Sequence, residues 1–153
     1  MKQTRLNGWK FATQFRLAFF AVVLCAPAYA EEPSLGALKI QGAQLVSKDD
    51  LAALLSGASL TRQLERGGDV HISTLKDGSL NAYFQSKMRN VNQIKGYGTW
   101  KVNDDGKYCF DIKWSRGFED VSGCRSMYKA GEDYYGAGSD ADDAKLYHYK
   151  ISK

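Results

Sequence analysis

The sequence predicts a mostly β protein: an antiparallel meander, closed as a small barrel or folded as a sandwich, with one short N-terminal helix packed on it. Two observations lead to this fold class. About seven segments after Gly57 alternate apolar and polar residues with the period of two that is typical of strands. Turn signals rich in glycine and aspartate separate these segments, and no second helical period follows.

The first thirty residues have the pattern of a secretory signal peptide. Basic residues without any acidic one precede the apolar run Leu17–Leu24, and Ala28-Tyr29-Ala30 places small residues where a signal peptidase reads them. The run is too short to remain as a membrane anchor. A lipid anchor at Cys25 is not expected, because Leu24 stands where a small residue is needed. We therefore expect cleavage after Ala30, export to the periplasm or beyond, and no membrane span afterwards.

Removal of the leader changes the charge balance. The 153 residues include 21 basic and 17 acidic residues, which gives a formal net charge of +4. Four of the basic residues lie in the leader (Lys2, Arg5, Lys10 and Arg16), and all 17 acidic residues follow it, so the mature chain is close to neutral. Its charge therefore gives no support for nucleic acid as a partner. Its length suits one domain with one core.

The mature chain divides into an extended segment (31–46) and a single β-rich domain (47–153). The domain begins with the one clear helical pattern. Ser47 is a good N-cap, and Gly57 is placed to end the helix. Its apolar face consists of Leu51, Leu54 and Leu55. A helix this short must dock its leucines on another element.

Strands and turns make up the rest of the prediction. In the strand that ends at Trp114, the alternation puts aromatic residues on one face. The stretches Gln85–Lys95 and Gly136–Asp143 interrupt the pattern and are predicted as loops, the first with a small basic charge that suits either solvent or an anionic envelope polymer. The predicted strands are Ser59–Glu65, Val70–Leu75, Ser79–Phe84, Tyr97–Val102, Lys107–Trp114, Val121–Lys129 and Ala144–Ile151.

Two cysteines remain in the mature chain, and an even count in an exported protein indicates a disulfide. If Arg116-Gly117 forms a two-residue hairpin turn, paired positions have a constant index sum, and Cys109 falls directly opposite Cys124. A bridge there closes a loop of about fifteen residues, worth about 3 kcal/mol in the chain-entropy model. A redox pair usually has the spacing C-x-x-C, and a metal site needs histidines nearby, so a structural bridge is favoured.

Aromatic side chains provide the candidate binding residues. Such residues commonly fill barrel cores, but part of the set can line a cavity or an open face that accepts an apolar ligand, a glycan or a peptide. Tyr134 and Tyr135 are expected to be the exposed pair, because neighbours in a strand point to opposite faces. The candidates are Trp100, Trp114, Tyr134, Tyr135, Arg116 and Phe118.

No catalytic residue, metal site or cofactor is predicted. His71 and His148 lie within predicted strands, and solvent-facing strand histidines explain them better than a general base does. The aspartates at 140–143 lack the order of an EF-hand, and aspartates between strands are usually turn formers. No phosphate-binding glycine loop, nucleophile elbow or zinc motif is present.

A series of short motifs nevertheless has a familiar order. It runs through Leu54-Leu55-Ser56-Gly57, Asp77-Gly78-Ser79-Leu80, Gly98-Thr99-Trp100-Lys101-Val102, Asp105-Gly106, Cys109, Cys124, Tyr128 and Gly131. Over roughly Leu51 to Tyr135 the chain resembles a set of small exported proteobacterial proteins catalogued as a domain of unknown function (family 995). There is a fainter similarity, in architecture, to periplasmic β-barrel inhibitors of proteases and lysozymes. The resemblance implies no catalytic residue.

The sequence thus favours an exported, non-catalytic binding module of the cell envelope. Its partner would be an envelope protein, a glycan or a small apolar ligand, and its oligomeric state is open. The alternative is an inhibitor of a secreted hydrolase, in which the disulfide stiffens a loop around Arg116-Gly117-Phe118 that plugs the active site. A hydrolase that uses His71 or His148 ranks last.

Overall fold

The computed structural model describes residues 33–65, 67–87, 93–116 and 118–153. The predicted signal peptide lies outside these ranges, as do residues 88–92 of the predicted loop Gln85–Lys95 and Gly117 of the predicted turn. The helices are α1 (Leu35–Ile40) and α2 (Lys48–Leu55), and the strands are β1 (Gln44–Leu45), β2 (Ser59–Gln63), β3 (Asp69–Thr74), β4 (Ser79–Gln85), β5 (Ile94–Val102), β6 (Tyr108–Trp114), β7 (Val121–Ala130), β8 (Asp133–Ala137) and β9 (Leu146–Ser152).

Strands β2 to β9 form a closed antiparallel barrel, which is the first of the two predicted architectures. Each strand from β2 to β7 pairs with the next in a meander, and β9 lies between β2 and β8. Pairing of β8 with β7 closes the barrel. The first and last strands of the barrel, β2 and β9, pair with each other, and Ser59 lies opposite Ser152. Strand β1 adds two residues beside the second half of β7.

Helix α2 covers one end of the barrel, and the sequence predicted it correctly. The Ser47 side chain accepts a hydrogen bond from the Asp50 N–H at 3.2 Å and so caps the first turn. Leu51 and Leu55 are fully buried in the same apolar cluster as the strand residues of the barrel interior. The Thr74 hydroxyl at the end of β3 donates to the Leu55 carbonyl and ties the helix to the sheet.

The prediction of an extended segment over residues 31–46 is wrong for α1. The Ser34 side chain accepts from the Ala37 N–H and begins a helix of six residues. Leu35 and Leu38 are buried in a second apolar cluster, outside the barrel interior, with Tyr128 and other residues of β7, β8 and β9. Two leucines three positions apart are a weak helical signal. Packing against the outer wall of the barrel makes the short helix stable.

Two loop predictions also need correction. The predicted loop Gln85–Lys95 ends in strand, because β5 begins at Ile94 rather than at Tyr97. The predicted loop Gly136–Asp143 begins in β8, which the sequence did not reveal as a strand. In β8 the side chains pack on both faces of the sheet, so the sequence there does not alternate.

The hairpin of β6 and β7 has the predicted register. Cys109 lies opposite Cys124, and Asp111 lies opposite Ser122. A disulfide joins the two cysteines. The predicted aromatic stripe is also present, since Tyr108 and Phe110 are buried in the barrel interior.

The end of the barrel opposite α2 is the barrel mouth, where β2, β4 and β6 end and β3, β5 and β7 begin. Here β7 changes neighbours. Its first half, Val121–Arg125, pairs with β6, and its second half, Ser126–Ala130, pairs with β8. Within the described part of the chain, Val121–Arg125 has no ladder partner on the β8 side. Among the described residues, the β7–β8 ladder therefore does not extend to the barrel mouth.

Candidate functional site

A cavity of about 120 Å³ lies inside the barrel mouth. We call it the mouth cavity. Its walls come from β2, β3, β6, β7 and β9 and are mainly aliphatic and aromatic, with two arginines. Both residues that β7 contributes belong to the half of that strand without a β8 partner. The lining residues are Arg62, Leu64, Val70, Ile72, Phe110, Ile112, Trp114, Phe118, Val121, Arg125 and Tyr149.

Two of the predicted binding residues meet at this cavity. Phe118 reaches across from the β6–β7 connection, and its ring centroid lies 5.5 Å from that of Trp114 and 5.0 Å from that of Phe84. Phe118 keeps 40% of its surface exposed, so it forms the outer wall of the cavity. Trp114 and Phe118 are thus the two candidate binding residues that the structure brings to the mouth cavity.

Gly96 on β5 makes room for the Trp114 ring. A Cβ at this position would lie 2.8 Å from Trp114 Cε3 and 2.9 Å from Ile112 Cγ2. Real Cβ atoms do not approach other atoms so closely, so a side chain at Gly96 would displace the indole. The absence of a side chain at Gly96 therefore determines the position of the Trp114 ring, which forms one wall of the cavity.

Arg125 is the most deeply buried charged residue among the described residues, with 9% of its surface exposed. Its guanidinium carbon lies 3.6 Å from the centroid of the Tyr147 ring and 4.9 Å from that of Phe110. It donates a hydrogen bond to the Tyr149 hydroxyl. Burial raises the pKa of Tyr149, so this hydroxyl stays neutral and can accept from the arginine.

Arg62 lies beside Arg125. Its guanidinium carbon is 4.4 Å from the centroid of the same Tyr147 ring. Burial lowers the pKa of Arg62, and the positive charge of Arg125 lowers it further. Among the described residues, no carboxylate lies within ion-pair distance of either arginine. Glu65, whose negative charge favours protonated Arg62, is bound by Lys145 at 2.5 Å.

Most N–H donors of the two guanidinium groups have no hydrogen-bond partner among the described residues. An arginine side chain offers five N–H donors. Within the described ranges, Arg125 uses them only for Tyr149, and Arg62 makes no side-chain hydrogen bond. The Tyr108 hydroxyl is the only fully buried side-chain polar atom there that lacks a hydrogen bond. The unused N–H groups of the two arginines therefore keep some accessible surface.

The structure separates the remaining predicted binding residues from the mouth cavity. Trp100 packs against the barrel interior and donates its indole N–H to the Leu75 carbonyl at 2.8 Å. Tyr134 packs on the barrel interior and Tyr135 on the cluster around α1, so they do not form the exposed pair that we expected. Arg116 is exposed in the β6–β7 connection.

The two histidines lie in separate cross-strand pairs, His71 on β3 and His148 on β9. The Thr61 hydroxyl lies 3.1 Å from His71 Nδ1, directly across the β2–β3 ladder, and His71 stacks on Tyr83. His148 Nε2 lies 2.8 Å from Asp133 Oδ1 on the neighbouring strand. In the described chain neither histidine forms the nucleophile, base and carboxylate chain that general-base catalysis uses.

The aspartates at 140–143 have other partners. Asp140 accepts from the Ser126 hydroxyl at 3.0 Å and pairs with Lys107, and Asp142 pairs with Lys39. Within the described ranges, no three histidine, cysteine or acidic side chains are grouped as a metal site. In the same ranges, no helix is long and apolar enough to cross a membrane.

Arg62 and Arg125 line the mouth cavity, but the sequence prediction of binding residues did not include them. Arg62 stands two positions from Leu60 and from Leu64 in a strand pattern, which places it on the apolar face of β2. Arg125 stands two positions before Met127, which is fully buried. A charged residue on the inward face of a predicted strand was therefore the available signal.

The profile of the family described as "Protein of unknown function (DUF995)" matches residues 20–141. The chain belongs to the DUF995 family. The match includes most of the barrel, from α1 through β8, and ends before β9. No curated protein and no solved structure matches this DUF995 chain.

Proposed function

We propose that this DUF995 protein is an exported, non-catalytic binding module of the cell envelope that holds a small apolar ligand in the mouth cavity. The observation that carries the proposal is an apolar cavity, walled by aromatic rings, at the end of the barrel opposite α2. Pockets of this character, apolar with a few polar groups, are where proteins bind small molecules.

The size of the cavity limits the ligand. Its 120 Å³ is close to the roughly 150 Å³ of an engineered apolar cavity that accepts benzene. The part of the ligand inside the barrel is therefore about one aromatic ring or a short alkyl chain. Larger ligands would extend past Phe118 into solvent.

A fluorescent apolar probe tests this function on the mature protein. We expect N-phenyl-1-naphthylamine to bind saturably and to lose affinity about fivefold or more in Phe118→Ala, which removes the outer wall of the cavity. Tyr97→Ala is the matched control, because Tyr97 is an aromatic residue with 62% of its surface exposed on the outer face of β5. Equal binding by both variants, or no saturable binding, would contradict the proposal.

Export is tested separately by mass. Intact-mass analysis of protein from an envelope fraction should find a chain that begins at Glu31. A species that still carries Met1 in a membrane pellet would refute cleavage after Ala30.

Inhibition of a secreted hydrolase is the second proposal. Arg116 is exposed near the disulfide-linked strands β6 and β7, as an inhibitory loop requires. Phe118, however, packs on Phe84 and Trp114 instead of projecting from the loop, and this favours the binding module. Retention of a single hydrolase from envelope extract on the immobilised protein, lost in Arg116→Ala, would favour inhibition.

A further inference from the structure

We infer that the ligand of the mouth cavity is a carboxylate joined to an apolar group, with the carboxylate held by Arg125 and Arg62 and the apolar group between the aromatic walls. This inference rests on the proposed function and adds the chemical class of the ligand. The juxtaposition that carries it is a pair of partly buried guanidinium groups with unused N–H donors at an apolar cavity.

Arg125 is a buried positive charge without a carboxylate partner among the described residues. A buried charge is costly unless it is paired and hydrogen-bonded. Arg125 is nine-tenths buried, yet among the described residues its partners are one tyrosine hydroxyl and the faces of aromatic rings. Those contacts hold the guanidinium in place without neutralising it. An oxyanion in the cavity would supply the missing charge.

Arg62 adds a second positive charge to the cavity wall. It lines the same cavity and lies near the same Tyr147 ring, so two positive charges share a small, partly dry volume. Two like charges repel each other there, and the lowered pKa of Arg62 reflects both burial and the neighbouring Arg125. Glu65 is the carboxylate whose charge acts on Arg62, and it is bound by Lys145. An anion placed between the two arginines would relieve the repulsion.

A carboxylate fits this site better than a doubly charged head group. The desolvation cost of an ion rises steeply with its charge, and most of the surface around the cavity is hydrocarbon. A carboxylate also presents two oxygens in the plane that matches the fork of one guanidinium. The apolar part then occupies the space between Trp114, Phe118 and Ile72, which suits either a ring or a short chain.

Matched ligands test the head group on the unaltered mature protein. We compare octanoate with octanol and octylamine, and 3-phenylpropanoate with 3-phenylpropanol, as competitors of N-phenyl-1-naphthylamine. Each carboxylate should bind about tenfold or more tightly than its alcohol, because a charge-assisted hydrogen bond replaces a neutral one. The amine should bind most weakly. The two carboxylate arms distinguish an alkyl ligand from an aromatic one.

Two variants test the assigned arginines. In Arg62→Gln and Arg125→Gln, the affinity for octanoate should fall about tenfold while the affinity for octanol changes less than about twofold. Lys113→Gln is the control, since it removes one exposed positive charge from the outer face of β6. If Arg125→Gln does not fold, Arg62→Gln alone decides, because Arg62 is only half-buried.

The outcomes separate this inference from the proposed function. Equal affinity for octanoate and octanol overturns the carboxylate and leaves the apolar binding module standing. Tighter binding of octyl sulfate than of octanoate also overturns the carboxylate. An unchanged preference for octanoate in both arginine variants overturns the assignment of the residues. Failure of every ligand and of the probe overturns the inference and the proposed function together.

Discussion

At the scale of single residues, two buried tyrosines in the barrel interior differ in what their hydroxyls do. Tyr149 accepts a hydrogen bond from Arg125, whereas the Tyr108 hydroxyl is buried without a partner among the described residues. Burial raises the pKa of both phenols, so both stay neutral. The same chemical group therefore stabilises the fold at one position and costs free energy at the other.

We predict opposite effects of removing these two hydroxyls. Tyr108→Phe removes an unsatisfied polar atom, so the free energy of unfolding should stay equal or rise by up to about 1 kcal/mol. Tyr149→Phe takes from a buried guanidinium the only hydrogen-bond partner it has among the described residues, and should lower that free energy by about 1–3 kcal/mol. Urea unfolding of the two variants beside the parent protein measures both effects. A greater loss in Tyr108→Phe than in Tyr149→Phe would show that this account of the two hydroxyls is wrong.

At the scale of elements, β5 lies unusually close to β6. A Cβ on Gly98 would come within 1.7 Å of the Asp111 carbonyl oxygen, so no side chain fits at this position. Gly123, one strand further along the sheet, has only Phe110 Cζ at 3.8 Å in the same test. The approach of the β6 backbone to β5 therefore depends on Gly98, while the contact between β6 and β7 does not depend on Gly123.

We predict that Gly98→Ala destabilises the barrel by about 3 kcal/mol or more, because backbone rather than a flexible side chain would have to move. Gly123→Ala is the matched control and should change the free energy of unfolding by less than about 0.5 kcal/mol. Thermal unfolding followed by circular dichroism compares the two variants. Similar melting temperatures for both would contradict the close approach of β5 and β6.

The elements that the sequence predicted are those with one buried face. Alternation identified β6, and a capped helical period identified α2, because each presents one apolar side to the barrel interior. Strand β8 was not predicted because both of its faces are apolar and its sequence does not alternate. Tyr134 faces the barrel interior and Tyr135 faces the cluster around α1. Helix α1 was not predicted because its six residues are too few to show a helical period.

At the scale of the whole molecule, the site was only half predictable. Trp114 and Phe118 were identified by residue type alone, since aromatic rings are common in pockets. Arg62 and Arg125 come from β2 and β7, which are distant in sequence, and closure of the barrel brings them together. A pattern within one segment cannot report which residues of another segment it meets.

We predict that the disulfide contributes about 3 kcal/mol to the stability of the whole barrel. It closes a loop of 15 residues and so lowers the conformational entropy of the unfolded chain. Urea unfolding with and without a reductant measures this contribution. The double variant Cys109→Ala/Cys124→Ala is the control and should not respond to the reductant. Thiol labelling without reduction should find neither cysteine in the mature form, and quantitative labelling of both would refute the bridge.

The pairing of β2 with β9 has a consequence for how the protein comes into being. The register Ser59↔Ser152 joins the first strand of the barrel to the last. A polypeptide that emerges with its N-terminus first cannot complete this ladder until nearly all of the barrel has been synthesised or has crossed a membrane. Such distant pairings make folding slow. The unfinished chain would expose the free edges of β2 and β8, and a chaperone that covers strand edges would protect it during that interval.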